Sequence, residues 1–173
     1  STAEIDLMLY DDGSAKTSDP DDLQEQDIVI DVVSRPGDLW CLNEHRLLCG
    51  SALEASNYKR LLQGKLAQLV LTDPPYNRQI GRVGGRGKIK HREFAMASGE
   101  LSRGQFIDFL GTAFSHIRDH SIDGAILFCC MDWRHMKEMC AAGDKVFGEL
   151  KNLCVWAKTN GGMGSLYRSQ HEL

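Results

Sequence analysis

Thr72-Asp73-Pro74-Pro75-Tyr76-Asn77 places a carboxylate, a stiff stretch of backbone, a phenol ring and an amide side by side. Two consecutive prolines can neither continue a sheet ladder nor enter a helix interior, so the chain must turn after Asp73. The same prolines hold the carbonyls around them in fixed directions. A carboxylate and a fixed carbonyl are acceptors suited to the hydrogens of an amino group. On a nucleobase such an exocyclic amine is a poor nucleophile, because its lone pair is delocalised into the ring. Acceptors around its N–H hydrogens favour a more tetrahedral, more nucleophilic nitrogen, with Asp73 supplying one and the Pro74 carbonyl another. Tyr76 would then stack on a base flipped out of its duplex. The bland reading is a tight surface turn in which Asp73 caps and Tyr76 packs; the apolar run leading into the turn favours a site.

Arg78, Arg82, Arg86, Lys88, Lys90 and Arg92 follow directly, in a stretch rich in glycine. A solvated basic loop is the plain account of such a run. Its place beside the turn points instead to contact with a DNA backbone, with Asn77 on the substrate side and the loop ordering on binding. The net charge of −4 hides an asymmetry: residues 1–40 hold 11 acids and 2 bases, and residues 41–173 hold 13 acids and 18 bases. The body is therefore basic and the arm acidic, which suits a polyanionic partner as well as an ordinary solvated surface.

Other candidates are weaker. Asp132-Trp133-Arg134-His135 would cap and pack at a strand-to-helix junction or border the cleft. His116 and His120 have the spacing to share a metal on a helix but no third ligand, and are read as solvent-facing. Cys41, Cys49, Cys129, Cys130, Cys140 and Cys154 show no C-x-x-C pair or regular spacing and mostly sit in apolar runs. They are read as reduced, buried small hydrophobes of an intracellular protein. No metal is expected.

These groups need elements to position them. With 42% hydrophobic residues the chain can build one real core, and no apolar run approaches the roughly 20 residues needed to span a bilayer. Residues 1–36 read as an acidic linker or arm in which Asp27 to Val33 adds an edge strand, and residues 37–173 as the folded domain. Asp38 to Leu42 and Arg46 to Cys49 form a hairpin around Asn43-Glu44-His45. Ser51 and Glu54 have capping-box spacing for a helix ending at Gly64. Ala67 to Leu71 is a buried strand running into Asp73. Residues 78–100 form a long connection with no core element. Ser102 and Gln105 open a helix whose apolar face, Phe106, Phe109, Leu110, Ala113, Phe114 and Ile117, packs on the sheet. Gly124 to Met131 is a strand covered on both faces, Asp132 caps a helix to about Ala142, and Leu150 to Trp156 is a further strand. Residues 158–173 include a flexible glycine loop. Alternating strands and helices give an α/β sheet, in which ligands bind at the carboxyl ends of the strands.

The T-D-P-P-Y-N run resembles motif IV of amino-group DNA methyltransferases. Gly37-Asp38-Leu39-Trp40, Arg46 to Gly50, Gly87 to Glu100, Met131 to Met136 and Lys158 to Glu172 resemble bacterial and phage-type DNA methylases often fused behind a ParB-like nuclease domain. Ser1 to Leu7 is similar to the linker of such fusions, and the likeness spans residues 37–173. The resemblance implies a Rossmann-like fold, S-adenosylmethionine as cofactor, DNA as partner, methylation of adenine N6 in a restriction–modification setting, and a bacterial or phage-encoded cytoplasmic protein. It carries Asp73, Pro74, Pro75 and Tyr76 over as catalytic residues, with the aspartate form of the motif usual for adenine enzymes.

The cofactor signature F-x-G-x-G, expected after the target-recognition part, is absent from these 173 residues. Neither Gly84-Gly85-Arg86-Gly87 nor Gly161-Gly162-Met163-Gly164 has the strand, glycine turn and helix that cradle a nucleotide. The chain, which starts at Ser1, is therefore expected to be a partial methyltransferase fold: an excised or processed catalytic half, inactive alone. A non-catalytic DNA-binding remnant and a cytosine-N4 or RNA amino-methyltransferase remain alternatives.

Overall fold

The computed structural model describes residues 33–79, 93–159, 167 and 170–173. In chain order the elements are β1 (Leu39–Leu42), β2 (His45–Leu48), α1 (Ala55–Leu62), β3 (Ala67–Thr72), α2 (Arg103–Asp119), β4 (Ser121–Cys129), α3 (Met136–Val146), β5 (Trp156–Ala157) and β6 (His171–Glu172). The expected α/β class holds. The Asp27 to Val33 edge strand, nearly all of the basic run and the Asn160 to Ser165 loop fall wholly or mainly outside the described residues.

The hairpin forms with Leu39 opposite Leu48 and Leu42 opposite His45, so the turn is Asn43-Glu44 and His45 already belongs to β2. Asn43 takes the left-handed φ of 55° that lets so short a connection close. Arg46 Nη1 donates to the Leu61 carbonyl, and Arg60 Nη2 donates to that of Gly37, each at 2.7 Å, pinning α1 to the hairpin. The capping box expected from Ser51 and Glu54 does not form. Ser51 Oγ instead accepts from the Leu53 amide at 3.2 Å, a local bond that competes with capping, and α1 starts behind Glu54 without a side-chain cap.

β3 and β4 are parallel, with Leu69 opposite Ile126, Val70 opposite Leu127, Leu71 opposite Phe128 and Thr72 opposite Cys129. β4 begins at Ser121, ahead of the expected Gly124, and a register shift between Ala67 and Leu69 takes up the added residues. Gly124 has a φ of +80°, a conformation that glycine adopts without a Cβ penalty. Side chains alternate across the pair. Val70, Leu127 and Cys129 pack on the core, while Leu69, Leu71, Ile126 and Phe128 are exposed. β3 was expected to be buried and β4 to be covered on both faces; among the described residues only one face of the pair packs on the core. The continuous apolar runs mark strands built for two covering layers, and composition alone does not say which layer is present.

The Ser102–Gln105 box does form and opens α2: the Gln105 amide donates to Ser102 Oγ at 3.4 Å, and the Ser102 amide to Gln105 Oε1 at 2.9 Å. Phe106, Leu110, Phe114 and Ile117 lie buried one turn apart along the helix. With Ala97, Met131 and Ala142 they make the core. Truncating Phe106, which is fully buried, to alanine would cost about 3–5 kcal/mol. Contrary to expectation, α2 lies mainly along α3 and meets β4 only sparsely.

Asp132 does not cap α3. Its Oδ1 accepts from the Arg134 amide at 2.8 Å and its carbonyl from the His135 amide at 2.9 Å, making a separate turn before the helix starts at Met136. The expected strand from Leu150 to Trp156 shrinks to Trp156–Ala157, paired antiparallel with His171–Glu172; residues 150–155 are exposed and form no ladder. None of the six cysteines forms a disulfide; Cys129, Cys130 and Cys140 are half-buried and Cys41, Cys49 and Cys154 are exposed, which corrects the expectation that they are buried. No described helix is long and apolar enough to cross a membrane.

Candidate functional site

Asp73 is the first residue beyond β3 and is exposed, while Pro74, Pro75 and Tyr76 are half-buried. The Tyr76 hydroxyl donates to Asp73 Oδ1 at 2.6 Å. The turn is thus closed on itself by a charge-assisted bond between its first and last functional groups. Among the described residues the second carboxylate oxygen, Oδ2, accepts no hydrogen bond. Sequence reasoning gave the phenol ring a stacking role and did not foresee a tether on its hydroxyl.

Because the strands are parallel, β4 delivers its carboxyl end to the same edge, where the Cys130 amide donates to the Thr72 carbonyl at 2.9 Å. Cys129, paired with Thr72, has its thiol pushed up to about 12 by burial, then by Cys130 and by the negative charge of Asp73. Beyond Cys130 and Met131 comes Asp132. Its Oδ2 accepts from Arg134 Nη1 at 3.1 Å and from Arg78 Nη1 at 3.4 Å, so one carboxylate serves two guanidinium groups. Arg78, expected to touch a DNA backbone, therefore ties the segment after Asp73 to the segment after β4. A link across so long a stretch of sequence leaves no local signal.

Asn77, placed on the substrate side by the sequence, is buried, at 8% exposure. Its Nδ2 donates to the Leu101 carbonyl at 2.8 Å, and its Oδ1 accepts from the amides of Gly99 and Leu101 at 3.0 and 3.2 Å. A φ of 51° is one that asparagine tolerates better than most residues. Asn77 is thus the clamp between the Asp-Pro-Pro-Tyr turn and residues 97–101. In that loop the Glu100 carboxylate accepts from the amides of Ala97 and Ser98, each at 2.6 Å. Hydrogen bonds from its own backbone amide and from those of Ser98 and Ala97 hold the Glu100 carboxyl below its usual value. Ala97 is fully buried, so the connection does contribute to the core, against expectation.

Arg82, Arg86, Lys88, Lys90 and Arg92 lie outside the described residues. His116 and His120 do not face solvent as a pair. Both rings lie against Tyr58, at 5.5 and 5.3 Å between centroids, and one ring nitrogen of each lies at a backbone carbonyl: His116 Nε2 at Leu53 and His120 Nδ1 at His116. Burial pushes the Tyr58 hydroxyl up. The cluster fastens α1 to α2.

The turn after β3 reads Asp-Pro-Pro and that after β4 reads Cys-Met-Asp-Trp; neither contains the glycines that let a nucleotide cofactor approach a backbone. The carboxylates of these two turns suit an amine, and the turns do not fit S-adenosylmethionine.

No curated protein and no solved structure matches the chain. The family model for N6/N4 amino-group enzymes, described as DNA methylase, matches residues 67–173. That span begins at β3 and takes in the Asp73 turn, the Asn77 clamp and the Asp132 turn; a mixed α/β structure with a parallel strand pair is compatible with a partial Rossmann-like methyltransferase fold. The chain belongs to the DNA methylase family.

Proposed function

We propose that this chain carries the amine-orienting part of a DNA adenine-N6 methyltransferase, with Asp73 and the Pro74 carbonyl accepting from the two hydrogens of the target amino group. The observation that carries this reading is an exposed carboxylate held by Tyr76 at the carboxyl end of a parallel strand. Two acceptors draw the amine towards a tetrahedral geometry and localise its lone pair. Pro75 stiffens the Pro74 carbonyl, and Tyr76, whose hydroxyl is held by Asp73, offers its ring to a flipped base. S-adenosylmethionine, for which the turns after β3 and β4 supply no glycine cradle, would provide the electrophilic methyl group in the intact enzyme. The aspartate at the head of the motif supports adenine over cytosine. The basic stretch from Arg78 to Arg92 supplies backbone contacts, so replacing Arg86, Lys88 and Lys90 by neutral residues flattens the salt dependence of DNA binding.

The test is transfer of labelled methyl groups, by the intact enzyme with its cofactor site, to defined duplexes whose only methylatable amines are adenine N6 or cytosine N4. Transfer to adenine duplexes, abolished by Asp73→Ala, is expected. Transfer confined to cytosine duplexes moves the assignment to N4, and DNA retention without any transfer marks a non-catalytic binding module.

A further inference from the structure

Trp133 is half exposed, at 51%, although an indole is among the largest apolar surfaces a chain can bury. The Arg134 guanidinium carbon stands 4.3 Å from its ring centroid. That stacked guanidinium is fixed in turn by the Asp132 carboxylate at 3.1 and 3.3 Å. Asp132 is itself well shielded, at 15% exposure, and also receives Arg78. The cluster therefore holds two positive charges against one negative, and both cations belong to segments that leave the sheet at the edge where Asp73 stands.

We infer that the Asp132-Trp133-Arg134 turn, with Arg78, is a nucleotide-stacking platform for the DNA strand opened around the target base. This inference rests on the base-amine reading of Asp73. The guanidinium occupies one side of the indole, and the exposed remainder of Trp133 takes a nucleobase neighbouring the target. The surplus positive charge of Arg78 and Arg134 takes the adjoining phosphate. Each component has a physical reason. Base–aromatic stacking tolerates any sequence because every base has a π-face, and an arginine behind the ring adds a cation–π contribution. Asp132 holds both guanidinium groups in place before DNA arrives, which lowers the entropy lost on binding. A tryptophan serving only as packing would gain nothing from this exposure.

The experiment titrates the full chain with a mixed-sequence 12-nucleotide single strand and with a duplex carrying one abasic gap, following fluorescein anisotropy and tryptophan fluorescence together. Trp40 and Trp156 serve as internal references. Trp133→Ala is expected to weaken single-strand binding about tenfold. Trp133→Phe, which keeps a stacking ring, retains most of the affinity but loses the DNA-induced quenching. Arg134→Ala lowers the salt slope by about one. Should Trp133→Ala fail to fold, the quenching difference between the unaltered chain and Trp133→Phe decides alone. Unchanged quenching in Trp133→Phe, or unchanged affinity in a folded Trp133→Ala, overturns the platform. Quenching that maps to Trp133, together with an intact enzyme that transfers no methyl group to an amine, leaves the platform standing and overturns the base-amine reading. No binding by the unaltered chain overturns both.

Discussion

The Tyr76 hydroxyl and the Asp73 carboxylate meet at 2.6 Å, closing the Asp-Pro-Pro-Tyr turn from end to end. An aspartate alone at a strand end can rotate about χ1 and χ2; one that accepts from a half-buried phenol has a preferred direction. The bond therefore pre-orients the acceptor that the target amine must find, and leaves the second carboxylate oxygen to receive it.

Tyr76→Phe isolates that orienting bond, because the ring remains. Hydrogen bonds to charged groups contribute about 1.5–3 kcal/mol when shielded, and the exposure of Asp73 brings the expected effect to the lower end. In the intact enzyme we expect about a tenfold fall in kcat for methyl transfer with KM for DNA little changed. A rate equal to that of the unaltered protein would show that Asp73 needs no partner.

Asn77→Ala removes three hydrogen bonds from a buried site and leaves the Gly99 and Leu101 amides and the Leu101 carbonyl without their partner. A loss of about 2–4 kcal/mol is expected from urea unfolding. Asn77→Asp keeps the acceptor and loses the donor, and should fall between. Gly99, at a φ of +103°, has room for a methyl group, with nothing nearer than 3.6 Å, so Gly99→Ala costs about 1–3 kcal/mol through its backbone alone. Gly111 is helical with open space around it, and Gly111→Ala should stabilise by about 1 kcal/mol.

Glu100 gives the 97–101 loop a dependence on pH. Its carboxyl is lowered from 4.5 in the fold, so the carboxylate's contribution is complete above that value and disappears as the pH falls through the lower, folded one. Limited proteolysis within residues 93–101 should accelerate below pH 4.5, and Glu100→Gln should be cut at a rate that no longer changes over this range. Cleavage in the unaltered protein that is indifferent to acid would remove Glu100 from the account.

Cys129 should be chemically silent beside an otherwise accessible edge. With its thiol near 12, only about one molecule in 10,000 carries the thiolate at pH 8. Peptide mass spectrometry after brief iodoacetamide treatment at that pH should find Cys41, Cys49 and Cys154 alkylated and Cys129 intact. Equal labelling of Cys129 would mean that its burial or its neighbours do not act as described.

Sequence alone determined what neighbouring residues decide between themselves. Pro74 and Pro75 end the strand at Asp73, Ser102 and Gln105 start α2, and a periodic apolar stripe fixes which side of that helix is buried. Even at this range a spacing is only permissive: Ser51 and Glu54 have the pattern of a cap, but Ser51 is drawn to the Leu53 amide. Tertiary structure decided the rest. It made β3 and β4 parallel, which brings Asp73 and the Asp132 turn to one edge. It gave Asp132 to Arg78 and Arg134 rather than to a helix end, turned Asn77 inwards onto the 99–101 backbone, and left Leu69, Leu71, Ile126 and Phe128 uncovered. These outcomes depend on which distant segment arrives beside each group. Side-chain chemistry restricts that choice, and packing of the whole chain makes it.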